Sequence, residues 1–365
     1  MKWRLAFQIL GLIAAVFSLL PLIAADYWWI RVFDYPHLQF TAFTLAAIIL
    51  SLFTFKWRWY QDYIFLAILV GCFAFQCYKI IRFTPLVPVE LKDSSANISS
   101  KDQLRLYTAN VLQTNTNRKA LFEEITQRQP DVVVFTETDQ IWMKEIRKAL
   151  SADYPYKVEE PLENTYGIIL YSKLPLRETS VQFMVDPEIP SIHTQVKLRN
   201  GDWFQLYAIH PTPPMPQENP SSSDRDTELM KIAIKSYQST LPVIVLGDFN
   251  DVAWSSSTEL TETIGKLLDL RVGRGFYNSY HAQYPMFRWA LDHILIAPEF
   301  RLSKVGRGVN TGSDHFPTYA YLTYEPDLAH EQEPEEPSME NWKSARDQMS
   351  KQGLESFSVL PDGMK

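Results

Sequence analysis

The sequence predicts an α/β domain of packed sheets covered by helices, preceded by three transmembrane helices. Three observations predict it. Leu5 to Ala25, Leu38 to Phe55 and Tyr63 to Ile81 are apolar stretches almost free of charge, each able to cross a hydrocarbon core about 30 Å thick. Beyond residue 102, short apolar runs of strand character alternate with segments of helical spacing. Asn200-Gly201 lies between two alternating runs, a strong hairpin signal, so the sheets are mixed rather than purely parallel.

The charges flanking the first 82 residues, a membrane anchor, set its orientation. Lys2 and Arg4 precede the first stretch, and Lys56 and Arg58 sit between the second and third, so the N-terminus and this second loop stay cytoplasmic. The loop Asp26 to His37 carries Arg31 against Asp26 and Asp34, and its Tyr27, Trp28 and Trp29 suit an interfacial aromatic belt. The chain after Ile81 is then extracytoplasmic, a multi-pass cell-membrane protein with the bilayer as its partner; Lys79 and Arg82 pull weakly the other way. A signal peptide ending at Ala24-Ala25 is the alternative for the first stretch, against which stands Ile23 where a small residue is expected. The domain ends on the same side either way.

Residues 83–102, rich in Pro, Ser and Asn and without a period, read as a linker. Order begins with the alternating run Leu104 to Val111; Arg118 to Arg128 has helical spacing, and Asp131 to Phe135 is a buried-strand run. A helix over Gln140 to Leu150 follows, then a strand over Gly167 to Tyr171 and the hairpin of Thr194 to Leu198 with Trp203 to Ile209. A helix from Ser223 to Tyr237 and strands over Val243 to Leu246, Ala290 to Ile296 and Phe316 to Tyr324 complete the domain, 103–324. Residues 325–365 form an acidic tail that is not expected to fold by itself.

Net charge is −7, but the tail holds ten acids and four bases, so the rest is near −1. Nothing in that bulk charge demands a polyanionic partner. Both cysteines, Cys72 and Cys77, lie in the third apolar stretch, which excludes thiol catalysis and a cysteine-based zinc site from the domain.

Polar residues at strand ends are where α/β enzymes place their chemistry. Asn110 ends the first strand, Glu137 follows Phe135-Thr136, and His210 follows Ile209. Asp248 and Asn250 stand in Gly247-Asp248-Phe249-Asn250, Asp292 in Leu291-Asp292-His293-Ile294, and Asp314 and His315 in Gly312-Ser313-Asp314-His315-Phe316-Pro317. Any one of these acids reads equally as a turn or helix cap. Together, carboxylates, amides and imidazoles fit a site for Mg²⁺ or Mn²⁺ that hydrolyses a phosphoester.

In order and spacing these motifs resemble the endonuclease/exonuclease/phosphatase superfamily, which includes DNase-I-like nucleases, repair endonucleases, bacterial sphingomyelinases and inositol polyphosphate phosphatases. The resemblance covers roughly Gln103 to Tyr324 and implies a four-layer DNase-I-like α/β sandwich with its site at one end of two packed sheets. It implies that Glu137 holds the metal, assisted by Asn110, with Asp314 near it. Asp248 would orient or deprotonate water, Asn250 donate to the phosphate, His315 stand by the scissile phosphate with Asp292 orienting it, and His210 bind a phosphoryl oxygen or protonate the leaving group.

His293 should point to the opposite face from Asp292, and His193, His281, His37 and His330 have no motif around them. Arg225 and Glu228 read as a solvated helix face, though an arginine recurs there in the family; Trp254 borders a groove or belongs to the core. Substrate choice rests on the loops 210–220 and 273–287, whose prolines and aromatics suit either nucleic acid or a phospholipid headgroup. A non-catalytic membrane receptor on the same scaffold is the alternative from another class.

Overall fold

In the computed structural model, which describes residues 2–23 and 25–350, the chain opens with helix α1 (Lys2–Leu19), prolonged by a 3-10 turn to Leu22. A short α2 (Trp28–Arg31) precedes α3 (His37–Phe53) and α4 (Tyr60–Ile81). Ala24, at the candidate cleavage position, and tail residues 351–365 lie outside the described residues. Two of the three expected spans, Lys2–Leu22 and Tyr60–Ile81, are long and apolar enough to cross a membrane. The third differs: α3 is apolar but has 17 residues, about 26 Å of helix, because Pro36 precedes it and the chain breaks at Thr54 before the charged turn at Lys56.

The domain continues as β1 (Gln103–Asn110), α5 (Lys119–Arg128), β2 (Val132–Thr136), α6 (Gln140–Leu150), β3 (Tyr156–Glu160), β4 (Ile168–Ser172), β5 (Leu176–Gln182), β6 (Ser191–Lys197) and β7 (Trp203–Ile209). Next come α7 (Ser223–Tyr237), β8 (Val243–Asp248), α8 (Ser256–Gly265), β9 (Leu268–Asp269), β10 (Asp292–Ile296), β11 (Phe300–Arg307) and β12 (Thr318–Tyr324). The strands form two six-stranded sheets, ordered β11-β12-β1-β2-β4-β3 and β5-β6-β7-β8-β10-β9. Each has one parallel pair at its centre, β1 with β2 and β7 with β8, and antiparallel neighbours elsewhere.

Alternation assigns the faces. Leu104 and Leu106 of β1, Val134 of β2, Leu206 of β7, Ile244 and Leu246 of β8 and Ile294 of β10 meet in one core between the sheets. The intervening Tyr107, Val133 and Phe135 face α5 and α6, and Tyr207, Ile209 and Val245 face α7. The result is an α/β/β/α sandwich in which every central strand is buried on both faces.

The folded unit runs past both expected domain boundaries. Residues 83–102 do not hang free: Phe83 and Leu91 are fully buried, and the backbone of Lys92 and Ser94 bonds Leu302 on β11. Its apolar residues, interrupted by prolines and followed by a Ser- and Asn-rich run, follow no period, which is why the segment has the composition of a linker. The tail folds at least as far as α9 (Met339–Ser350), where Trp342, Ala345 and Met349, spaced along one helical face, pack on α7 and α8.

Candidate active site

The period of two that builds the core also builds the site. Continuing the inward-facing rows Leu206-Ala208, Ile244-Leu246 and Ile296-Ile294 by one strand repeat arrives at His210, Asp248 and Asp292, and continuing Leu104-Leu106 by two, through Thr108, arrives at Asn110. Parallel pairing puts the C-terminal ends of β1, β2, β7 and β8 at one edge, and antiparallel pairing sets Asp292 opposite Asp248. β12 starts beside Thr108, so Asp314 and His315, just before it, arrive at the same edge. Gly247 is required here: its φ is +138°, and a Cβ would stand 2.0 Å from the Ile209 carbonyl of the neighbouring strand.

The eight residues singled out in the sequence thus share one cleft. Asn110 Nδ2 donates both to Glu137 Oε1, at 2.7 Å, and to Asp248 Oδ2, at 2.9 Å. His315 Nδ1 lies 2.7 Å from Asp292 Oδ2, and its Nε2 lies 3.6 Å from Asp248 Oδ2. His210 Nε2 is 3.9 Å from Asp248 Oδ2, too far for a hydrogen bond, and its buried Nδ1 has no partner among the described residues. Asp248 Oδ1 accepts from the Asn250 backbone N–H at 2.9 Å. Glu137 and Asn250 both hold left-handed backbones, φ +59° and +51°, a strain that recurs where side chains are aimed for function. Ser313 fastens the last motif, its hydroxyl donating to the Asn110 carbonyl and accepting from His315 N–H.

Burial dominates the electrostatics. It pushes the Glu137 carboxyl up to about 7, with Asp314 and Asp248 adding to the effect and the Asn110 amide and His315 opposing it. Burial likewise raises Asp248, against the pull of His315. His315 is the opposite case: burial alone would lower it, but Asp292 and Asp248 outweigh burial and raise it to about 10. At neutral pH it is an imidazolium. Burial keeps His210 below its ordinary range despite Asp248, so the two histidines stand in different charge states.

Above this floor lies a cavity of about 440 Å³. Glu137, Glu218, Asp248 and Asp314 line it, and no Lys or Arg does among the described residues. Sequence reasoning missed several lining residues. Tyr166 packs at a tilt against His210 with ring centroids 5.2 Å apart, Trp289 lies edge-on to Tyr35, and Trp28, Val32 and Tyr35 come from the loop between α1 and α3. No local pattern marks them; the aromatic belt of 27–29 was the one available signal. Tyr280, from the 273–287 loop, packs 4.9 Å from the His315 ring.

Arg225 corrects its sequence reading. It is 1% exposed, pairs with Asp226 at 2.8 Å and Asp251 at 3.2 Å, and donates to the Asn250 carbonyl at 2.9 Å. Glu228, expected on the same solvated face, is buried too. His293 points away from Asp292 as alternation requires, stacking on Phe249 and bonding Arg271 and the Asp251 carbonyl. Trp254 is core, its Nε1 donating to the Asp34 carbonyl.

The sequence profile of the Endonuclease/Exonuclease/phosphatase family matches residues 95–315. The chain belongs to this family. Solved structures share its fold at low identity. Zebrafish (D. rerio) TDP2 complexed with single strand DNA product superposes with a TM-score of 0.50 at 17% identity, over 60% of this chain and 99% of that one. An endonuclease/exonuclease/phosphatase from Beutenbergia cavernae gives 0.50 at 16% identity, over 61% of this chain and 72% of its own. No curated protein matches the chain by sequence.

The donor set of this family member fits a hard divalent cation. Glu137 and Asp314 offer oxygens at a floor where burial and mutual repulsion already hold a carboxyl at about 7, and among the described residues that line the cavity no cationic side chain but His315 offsets them. A second grouping, Asp248, Asp292 and His315, has potential ligand atoms within 4.8 Å of one another. There the short Asp292–His315 bond occupies Nδ1 and the amides of Asn110 and Asn250 occupy Asp248, which makes it a hydrogen-bonded relay rather than a ligand cage.

Proposed function

We propose that the protein is a membrane-anchored, Mg²⁺-dependent phosphoesterase, acting on a phosphodiester on the extracytoplasmic side. The observation that carries this reading is the acidic floor with one imidazolium and, among the described residues, no Lys or Arg. A phosphate anion entering such a cleft meets net repulsion unless a metal comes with it. Glu137 would hold the metal, with Asp314 beside it and Asn110 fixing the Glu137 carboxylate by its 2.7 Å bond. Bound there, Mg²⁺ would offset charge on the phosphoryl oxygens.

The remaining work falls to the chain's own groups. Asp248, anchored by Asn110 and the Asn250 N–H, takes a proton from the attacking water. His315, kept protonated and oriented by Asp292, donates to a phosphoryl oxygen. Neutral His210 stands across Asp248 with a free ring nitrogen, placed to serve the leaving-group side. The orientation of the anchor rests on Lys2, Arg4, Lys56 and Arg58. The substrate classes are nucleic acid, which the zebrafish relative holds as single-strand DNA product, and phospholipid headgroups.

The test is hydrolysis of a soluble aryl phosphodiester by the full chain in detergent, with Mg²⁺ titrated by calorimetry. Glu137→Gln should abolish turnover and weaken Mg²⁺ binding at least about tenfold, since a neutral amide is a poorer ligand for a hard cation. Unchanged metal binding would remove Glu137 from the metal site.

A further inference from the structure

The wall of the cavity that comes from the anchor is built in rather than leaning on the domain. Between α1 and α3 the backbone is stitched to the segment before α7: Trp28 N–H donates to the Pro220 carbonyl at 2.9 Å and Ser222 N–H to the Asp26 carbonyl at 2.7 Å. Trp254 Nε1 donates to the Asp34 carbonyl at 2.7 Å. Tyr35 reaches furthest, its hydroxyl donating to the Asn250 carbonyl at 2.8 Å, the oxygen that Arg225 also holds. At the other end of the anchor, Lys79 pairs with Glu259 at 3.2 Å and Arg82 with Glu262 at 2.7 Å. The domain is therefore fixed against its helices at two places, and the cavity has a fixed height above them.

The mouth of the cavity is apolar at that height. Trp28, Val32 and Met215 line it and remain 36%, 46% and 48% exposed. The neighbouring loop tip carries Met286 and Phe287, 74% and 61% exposed, and is tied to the first turn of α3 by the bond from Gln39 Nε2 to the Met286 carbonyl. Exposed apolar side chains continuous with a membrane-spanning helix face hydrocarbon or headgroups rather than water. Inward of this rim the surface turns acidic, and among the described residues it carries none of the Lys and Arg that successive phosphates of a nucleic acid require.

From this we infer that the substrate is a phospholipid, entering from the bilayer with its apolar portion against Trp28, Val32 and Met215 while its single phosphate reaches the floor. The inference rests on the phosphoesterase reading for what happens at the floor. The occupant is set by the wall: one phosphate near the metal site, and an apolar body beside it in the plane of the membrane. The loop 26–37 is then a substrate-binding element as well as a connection between helices.

The experiment uses the full chain, reconstituted in vesicles of phosphatidylethanolamine and phosphatidylglycerol that carry a phospholipid with a photoreactive group on the acyl chain near the glycerol. The Asp248→Asn variant is irradiated and the label mapped by mass spectrometry. Label on Trp28, Val32 or Met215, displaced by a water-soluble short-chain phospholipid, is the expected result. Label confined to the outward sides of α1, α3 and α4, or displaced by a single-stranded oligonucleotide and not by the short-chain lipid, would overturn the inference. In parallel, wild-type kcat/KM for vesicle phospholipid should exceed that for the deacylated glycerophosphodiesters by at least about a hundredfold, the scale of burying a few methylenes; equal values would also overturn it. Turnover of the soluble aryl phosphodiester reports on the phosphoesterase reading separately, because it needs no apolar wall.

Discussion

Two clusters of buried charge stand on either side of Asn250, and they are compensated differently. On the cavity side, Glu137, Asp248, Asp292 and Asp314 face one imidazolium, His315. On the side of the 26–37 loop, Asp34, Asp226 and Asp251 face two guanidiniums, Arg31 and Arg225, with ion pairs as short as 2.8 Å. Burial costs each carboxylate several kcal/mol unless a partner returns it. On the loop side Arg225 and Arg31 together outweigh burial at Asp226 and hold it below its ordinary range, while burial still raises Asp251 and lifts Asp34 to about 7. The cavity side is left short of positive charge, and that deficit is what a metal and a substrate proton inventory would use.

The comparison breaks most sharply in activity. Asp248→Asn and His315→Ala should each lower turnover of an aryl phosphodiester by at least about a hundredfold, the scale of lost general-base or electrostatic help. Because both serve one displacement, the double variant should lose far less than the product of the two factors. Thermal melts of Asp248→Asn should stay close to wild type. A double variant that shows the full product would separate the two residues into independent steps.

Across Asn250 the same kind of change should read out as stability. Arg225→Met removes the fork from Asp226, Asp251 and the Asn250 carbonyl, and stranding buried carboxylates typically costs 3–5 kcal/mol, so a loss of about that size is expected by denaturant titration. Arg225→Lys keeps the charge without the fork and should recover only part of it. A loss below about 1 kcal/mol for the Met variant would mean that the cluster does not lock the loop.

Much of the cavity floor was legible in the sequence because strand periodicity and the ends of apolar runs are local properties. Asn110, Asp248 and Asp292 could be found by continuing an alternating row, and Glu137, His210, Asp314 and His315 by their places immediately beyond or ahead of a strand. The loop side was illegible for the converse reason. Ser223-Asp224-Arg225-Asp226 has the composition of a solvated helix start, and only contacts with Tyr35, 190 residues away, and Asp251 bury it. Leu91 packing into the inter-sheet core and Trp342, with Ala345 and Met349, closing over α7 likewise come from segments whose overall composition is polar. The edge strands β3 and β5, partly exposed, lack the apolar run that marked the central ones.

Glu228 extends the comparison to a third kind of buried carboxylate, one with neither a metal site nor an arginine fork. It lies on α7 one turn beyond Arg225, is 2% exposed, and its Oε1 has no hydrogen-bond partner among the described residues. Burial raises its pKa to about 8; Lys231 opposes this, and Asp186 and Asp224 add to it. The folded value lies above the unfolded one, so the folded state binds the proton more tightly and stability falls as pH rises through the interval between them. The slope is at most about 1.4 kcal/mol per pH unit, and from pH 6 to pH 8 a loss on the order of 2 kcal/mol is expected from this group. Glu228→Gln keeps the shape without the titration, so denaturant midpoints of variant and wild type should differ little at pH 5 and diverge in the variant's favour by pH 8. Parallel stability curves across that range would place the Glu228 proton equilibrium outside the folding balance and leave compensation by arginine as no better, for a buried acid of this fold, than no compensation at all.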